Sequence, residues 1–350
     1  MFNCEYIGNL HIHSRYSDGS AEIDKIASVA EKAGLDFVCL NDHAHMFDAL
    51  PLEKEGQYGN MLVLIGQEIG KRDHHYLAYD LDKKLSEDQL NPQQIIDWVN
   101  NNHGFGFLAH PFEKGMPFLE KSKAYTWNDL SVTGYTGICL WNFSSRWKER
   151  IKSIGHGLFF LLFKSQTLKG PSKKTISFWD RLCQETRIVA VGGSDAHGSS
   201  LKIGPLRLIP LTYHYVFQTI NIHILLRNKL PKNFDDAKNE IYLAMKSGRL
   251  FIANDKLAAA RNFRFYFLSE DGSDLVMGEV GPFSRGRLMI ELPKLGEIRI
   301  IKDGKLVSTF KGLEVVYPID EKGVYRVEVY LHFSIFGWRP WIFSNPIYLR

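Results

Sequence analysis

The chain lacks the signatures of several common chemistries. It has only four cysteines, Cys4, Cys39, Cys139 and Cys183, and no two form a C-x-x-C pair. That spacing argues against a thiolate zinc site and reads as buried free thiols in a reducing compartment. No G-x-S-x-G elbow, H-E-x-x-H pair or Walker loop is present, so serine-nucleophile, zincin and P-loop chemistry have no foothold. Neither sign of charge dominates: 43 Lys and Arg face 39 Asp and Glu. The resulting +4 is too small to make nucleic acid the main partner, and it leaves an anionic small-molecule substrate unremarkable. The longest apolar run, Leu158–Phe163, is too short to span a bilayer. The opening MFNCEYIGNLHIHS has no basic start followed by an apolar run, so no secretory signal is expected and the cytoplasm is the default location.

What is present suits one large domain and a smaller one. The length is 350 residues and 45% are hydrophobic, enough for a sizeable core. The first 200 residues alternate short apolar runs with helical patterns. Tyr6–His13, Phe37–Leu40, Met61–Ile65, Phe105–Ala109, Gly137–Leu140 and Ile188–Val191 read as strands. Ser20 is placed to cap a helix with Ile23, Ile26, Ala27 and Ala30 on one face and Gly34 at its end. Asn91-Pro92 starts another helix, which His103-Gly104 ends. Repeated β-then-α spacing predicts a parallel sheet, open or closed into a barrel. The segment Trp141–Lys174 breaks this rhythm with aromatics and basic residues; it reads as a helical insertion packed on the barrel, or more sharply as a lid or a surface for membrane or partner. Asp235–Leu250 reads as the last helix. After Arg261, alternating stretches at Phe263–Leu268, Arg287–Leu292, Glu297–Ile301, Leu306–Phe310 and Val324–Tyr330 are separated by turns such as Asp271-Gly272 and Asp303-Gly304, an all-β signature suited to a small sandwich.

The unusual residues collect just after the strands, where β/α barrels keep their chemistry. His11 and His13 alternate at strand spacing, which turns both imidazoles to one face. Alone, such a pair is more often incidental than metal-binding. Asp18, in Ser17-Asp18-Gly19, can fold back over the strand end, although a turn role is its plainer reading. Asp42 and His43 follow the next strand; Asp42 is placed to orient a ligand histidine, or is a loop aspartate. Glu68 ends a third strand and can bridge two cations with its two oxygens. His74-His75 precedes Tyr76-Leu77-Ala78, and only one of the two is needed as a ligand. His110-Pro111 ends a further strand, whereas His103 sits where a helix cap is the better role. Gly192-Gly193-Ser194-Asp195-Ala196-His197-Gly198 puts an Asp and a His two apart among glycines that allow tight packing around ions. So many such groups, each at a strand end, are hard to explain as structural histidines.

The order of these motifs, His-x-His-x-x-x-x-Asp-Gly, Asp-His, Gly-x-Glu, His, His-Pro and Gly-Ser-Asp-x-His, resembles the PHP (polymerase and histidinol phosphatase) family. The Met277-Gly278-Glu279 turn, the Gly323–Glu328 strand and the Trp341–Tyr348 ending resemble its carbaryl-hydrolase-like CehA/McbA branch, so the likeness spans nearly the whole chain. Trp141–Lys174 is bulkier than that pattern and bears on substrate access. The resemblance implies an α/β fold, a distorted (β/α)7 barrel over residues 1–260 with an insertion at about 141–174, followed by a small all-β sandwich over 261–350. It implies two or three divalent ions (Mn, Fe or Zn). His11, His13, Glu68 and Asp195 would hold one; Glu68, His75 and His110 a second; Asp18, His43 and His197 the third. His75 is preferred to His74 because the family motif places histidine directly before the apolar run. Asp195, Glu68 and His197 are the expected catalytic residues of a metal-dependent hydrolase that attacks with a metal-bound hydroxide. A phosphoesterase acting on a small phosphate ester or nucleotide is the first expectation. A carbamate, ester or amide hydrolase is the second, and a non-catalytic metal-stabilised binding module the third. Arg15, Lys114 and Arg146 are candidate anion clamps, each also readable as a solvated charge.

Overall fold

The computed structural model describes residues 4–85, 90–118, 123–203 and 206–350. The strands and helices run, in chain order, β1 (Cys4–Ile12), α1 (Ile23–Lys32), β2 (Phe37–His43), β3 (Gly56–Tyr58), β4 (Met61–Ile69), β5 (Tyr76–Tyr79), α2 (Pro92–Asn101), β6 (Phe105–Leu108), β7 (Gly137–Asn142), α3 (Phe143–Lys148), α4 (Ile154–Leu162), α5 (Lys173–Glu185) and β8 (Val189–Gly193). There follow β9 (Leu201–Ile203), β10 (Leu206–Leu208), α6 (Tyr213–Val216), β11 (Ile220–Leu226), α7 (Phe234–Ser247) and β12 (Leu250–Asn254). The remainder is strand: β13 (Arg264–Ser269), β14 (Leu275–Val276), β15 (Val280–Gly281), β16 (Gly286–Lys302), β17 (Lys305–Ile319), β18 (Gly323–Phe333), β19 (Gly337–Ser344) and β20 (Ile347–Leu349).

The helices form where the apolar spacing demands. In α1 Ile23, Ile26, Ala27 and Ala30 are buried on one stripe, each large aliphatic contributing roughly 1.5–3 kcal/mol on leaving water. Its N-cap is Glu22 without a side-chain bond, not Ser20; the Ser20 hydroxyl instead donates to the Gly198 carbonyl at 2.9 Å. Asn91 caps α2 as expected, in a reciprocal capping box with Gln94 and with proline at the first turn. Gly248 closes α7 at φ +72°.

The sheet departs from the expected all-parallel barrel. β2 is parallel to β1 and β4, and β7 is parallel to β6 and β8, but β5 is antiparallel to both β4 and β6, and β11 is antiparallel to β1. The (β/α)7 ladder is not closed. Where β8 ends, three backbone bonds reach β1 instead: Ser194 N–H to Leu10 O, Ala196 N–H to His11 O and His13 N–H to Ala196 O, at 2.9–3.1 Å. Gly193 permits this approach, since a Cβ there would lie 2.6 Å from the Leu10 carbonyl oxygen.

The β-rich end continues the same ladder. β12 pairs with β19, β19 with β18, and β18 with β16, so no break in hydrogen bonding separates it from the α/β part. The expected strands at 287–292 and 297–301 are one long strand, β16, with a register irregularity between Glu291 and Gly296 around Pro293. Proline cannot donate to a ladder, so the chain bulges there instead of ending. A separate apolar cluster, with Phe265, Phe267, Ile298, Val327 and Trp341 among its members, fills this end.

Candidate metal centre

The expected residues converge at the ends of β1, β2, β4 and β8, at the start of β5 and just after β6. The Glu68 carboxylate is nearest the middle. Its Oε1 lies 3.1 Å from His11 Nε2, 2.8 Å from His75 Nδ1 and 3.5 Å from His110 Nε2. Its Oε2 lies 3.4 Å from His13 Nε2 and 3.2 Å from His43 Nδ1. Asp195 Oδ1 lies within 3.5–3.6 Å of His11, His13 and His197. Asp18 reaches His13, His43 and His197 at 3.3–3.7 Å.

Four groups have donor atoms close enough to share an ion: His13, Asp18, His43 and His197; His11, His110 and Asp195; His11, His13 and Glu68; and His43, Glu68 and His75. All nine expected ligands fall in these groups, though His110 joins His11 and Asp195 rather than His75, and His43 belongs to two groups. Among the described residues, the buried nitrogens His11 Nδ1 and Nε2, His13 Nε2, His43 Nδ1 and His75 Nε2 have no hydrogen-bond partner. Leaving several buried polar atoms unpaired costs about 1–3 kcal/mol each. Several unpartnered imidazole nitrogens facing carboxylates inside a few ångströms form a donor set suited to divalent cations.

The backbone is bent to make this convergence. His11, His110 and Asp195 occupy the left-handed region, at φ 61°, 27° and 54°. Such residues cost of order 1–3 kcal/mol each and cluster at functional sites. His11 and His13 therefore do not share a face through plain strand alternation; the ladder slips between Asn9 and Ile12, and their rings still sit 5.1 Å apart.

The electrostatics pull the histidines apart. Burial, then the charges of His197 and His43, push the His13 imidazole down to about 3, so it is a neutral donor near pH 7. Burial also lowers His43. Burial would lower His110 too, but Glu113 and Glu68 reverse this and raise it to about 9. His197 is likewise raised to about 9, because Asp18 and Asp195 outweigh burial. Burial would raise Glu68 and Asp195, yet the surrounding imidazoles, His11 foremost, hold both well below the usual carboxylate range.

Supporting contacts differ in part from those expected. Asp42 accepts from the Ser14 N–H, the Ser14 hydroxyl and the Ser17 hydroxyl at 2.5–2.7 Å, so it fastens the loop that carries Asp18 rather than orienting an imidazole. His74 is not in the cluster; its Nε2 accepts from the Asn128 and Asp129 N–H groups. Arg15 pairs with Glu22 at the surface, Lys114 is exposed, and Arg146 donates to the Gly170 carbonyl and pairs with Glu149. None of the three lines the cleft of about 470 Å³ over the cluster; Lys71 and Lys148 do.

Several contributors were missed in reading the sequence. Buried Glu113 lies 3.2 Å from His110 Nδ1 and 2.6 Å from Lys148 Nζ; its place three residues after His110 was the one available signal. His110 Nδ1 also lies 2.9 Å from the Tyr125 carbonyl, which orients the ring. The Tyr213 hydroxyl bridges the His13 and His197 carbonyls at 2.7 and 2.9 Å. Asn142 Nδ2 donates to Asp195 at 3.3 Å.

Parts of the chain are similar to known proteins. The chain is 27% identical over 120 residues to the DNA polymerase III subunit alpha of Borreliella burgdorferi, covering 29% of this chain and 10% of that one. It is 25% identical over 115 residues to an uncharacterized protein of Methanocaldococcus jannaschii, covering 30% of this chain and 67% of that one. The chain thus spans about a tenth of the polymerase subunit's length. A two-domain crystal structure from Bacteroides vulgatus, containing a predicted PHP-like metal-dependent phosphoesterase, superposes with a TM-score of 0.47 at 12% identity over 98% of this chain and 95% of that one. Residues 9–132 match the PHP domain family, a stretch that holds His11, His13, Asp18, His43, Glu68, His75 and His110, while Asp195 and His197 come from beyond it.

Proposed function

We propose that the protein is a metal-dependent hydrolase, and that it acts first of all as a phosphoesterase on a small phosphate ester or nucleotide. One observation carries this reading: a single buried carboxylate, Glu68, lies within 3.5 Å of five imidazoles drawn from distant parts of the chain. The match of residues 9–132 to the PHP domain supports it. His11, His13, Asp18, His43, Glu68, His75, His110, Asp195 and His197 would hold two or three divalent ions, Mn, Fe or Zn, with Glu68 shared between groups. Such ions lower the pKa of water toward about 7 and polarise the substrate oxygen.

The chain's own residues do the rest. Glu68 and Asp195, kept ionised by the surrounding rings, counter the cationic charge. His13, kept neutral, offers its lone pair. His197, at the open side of the cluster, would hold an ion together with Asp18 and His43 at the cleft mouth. Lys71 and Lys148 on the cleft wall favour an anionic substrate. His110, steadied by Glu113 and the Tyr125 carbonyl, stays in place while substrate enters.

A carbamate or ester hydrolase of the carbaryl-hydrolase type is the second reading. The apolar part of the cleft wall, Met46, Met116, Tyr125, Trp147 and Leu211, favours it because it would seat an aryl group. Elemental analysis of protein purified without chelator, then turnover of phosphate esters against aryl carbamates with Mn, Fe or Zn, tests both. Faster phosphate-ester hydrolysis supports the first reading and faster carbamate hydrolysis the second. Bound metal with no ester turnover removes both and leaves a metal-stabilised binding module.

A further inference from the structure

The insertion ends in a surface that the site does not use. Helix α4, Ile154–Leu162, turns Ile154, Leu158 and Leu162 outward at i, i+4 and i+8, with exposures of 68%, 60% and 77%, and Phe159 beside them at 45%. Its inner side is anchored: Phe160 is buried, and its carbonyl accepts from the Trp147 indole N–H at 3.2 Å. The turn between β18 and β19 extends the same patch. Phe336 lies 6.4 Å from Phe159 and 5.2 Å from Phe163, ring to ring, and Ile335 at the tip is 86% exposed. Two separate elements therefore present one contiguous set of large apolar side chains to water, which a soluble surface rarely does without a use.

The chain segments that form the patch carry charge of one sign. From Arg150 to Trp179 the chain holds Arg150, Lys152, Lys164, Lys169, Lys173 and Lys174 and not one Asp or Glu. From Val329 to Arg350 there is again no acidic residue, and Arg339 sits close enough to Arg150 to be felt by it. The rest of the molecule is thus slightly acidic, since these six cations exceed the net +4. Two such faces repel each other, which disfavours a second copy of the chain as the occupant. An apolar helical stripe carried on chain segments rich in lysine and arginine and free of acidic residues matches an interface of hydrocarbon beneath anionic headgroups.

We propose that α4 and the β18–β19 turn dock the protein reversibly on an anionic phospholipid surface. The outward residues of α4 and Ile335 enter the headgroup boundary while the flanking cations meet the lipid phosphates. Trp147 and Lys148 at the end of α3 line the cleft, so docking would hold the cleft mouth near the bilayer. The surface stands independently of the reaction class.

The test is cosedimentation of the full chain with phosphatidylcholine vesicles that contain or lack phosphatidylglycerol. Pelleting should require phosphatidylglycerol and weaken as salt is raised. Leu158→Asp with Leu162→Asp, and separately Ile335→Asp, should each weaken binding about tenfold or more, with unchanged metal content and melting temperature. Lys152→Glu with Lys169→Glu should weaken it by a similar factor. Ile335→Asp lies on a different element, so misfolding of the helix variant would not blunt the test. Equal binding to both vesicle types, binding that these variants leave intact, or a salt-sensitive dimer or acidic protein partner in place of vesicle binding would each overturn the proposal.

Discussion

The two ends of the ladder treat buried polar groups in opposite ways. Around Glu68, ring nitrogens are buried without hydrogen-bond partners and three residues are held in left-handed backbone. Where the β-rich end meets α5, buried Arg326 is fully engaged: it pairs with Asp180 at 2.7 and 2.9 Å and with Glu328 at 2.7 Å. Nearby, the Asn345 amide accepts from Ala190 N–H and donates to the Ala190 and Leu250 carbonyls. Stability alone favours the second arrangement. Among the described residues, the contrast between the fully engaged Arg326 and the five unpartnered ring nitrogens around Glu68 is what a site built for a ligand produces.

Variants can break this contrast. The largest effect is expected at Asp195: Asp195→Ala should reduce the hydrolysis rate by more than the roughly ten- to hundredfold that loss of an outer partner costs, and lower bound metal, while the far-UV spectrum and melting curve persist. Retained rate and metal content would remove Asp195 from the centre. At the other end, Trp341 is fully buried with its indole N–H on the Ala258 carbonyl. Trp341→Ala should cost about 3–5 kcal/mol in urea unfolding yet leave metal stoichiometry unchanged in the folded fraction.

A third test addresses the join. His223 on β11 is buried between Glu5 on β1, at 2.7 Å, and Asp255, at 3.0 Å, and Glu5 also pairs with Arg264 on β13. Burial would lower His223, but the Asp255 and Glu5 carboxylates raise it from 6.5 to about 9. The folded state then binds the extra proton. The stabilisation is complete below about 6.5 and fades as pH rises through about 9, a change of up to about 3 kcal/mol. Urea midpoints should fall over that interval, and His223→Gln should flatten the fall. A pH-independent midpoint in the parent protein would contradict the network. The smallest effect is expected at Glu113. Glu113→Gln, which keeps the shape but not the charge beside His110, should weaken metal affinity about ten- to hundredfold in a chelator competition, and no change would show that Glu113 serves only Lys148.

Local chemistry was legible where one residue decides it. The Asn91 cap, the Gly248 helix end, the strand-end positions of the histidines and the alternation after Arg261 all read directly, because capping and period depend on near neighbours. Ser20 misled, since the same hydroxyl serves a cap or a distant carbonyl equally well, and here the loop at Gly198 took it. Asp42 misled for the same reason: its acceptors met Ser14 and Ser17 before any ring.

The sequence by itself determined which side chains bear the chemistry and roughly where each element begins, since residue type and short-range spacing carry that information. Only the tertiary structure decided that β5 and β11 run antiparallel, that His110 sides with His11 and Asp195, and that Glu113, Tyr213 and Lys148 serve the centre. Contacts such as that between Tyr213 and His13 join residues far apart in the chain, and nothing in local propensity encodes which distant partner a buried polar atom will find.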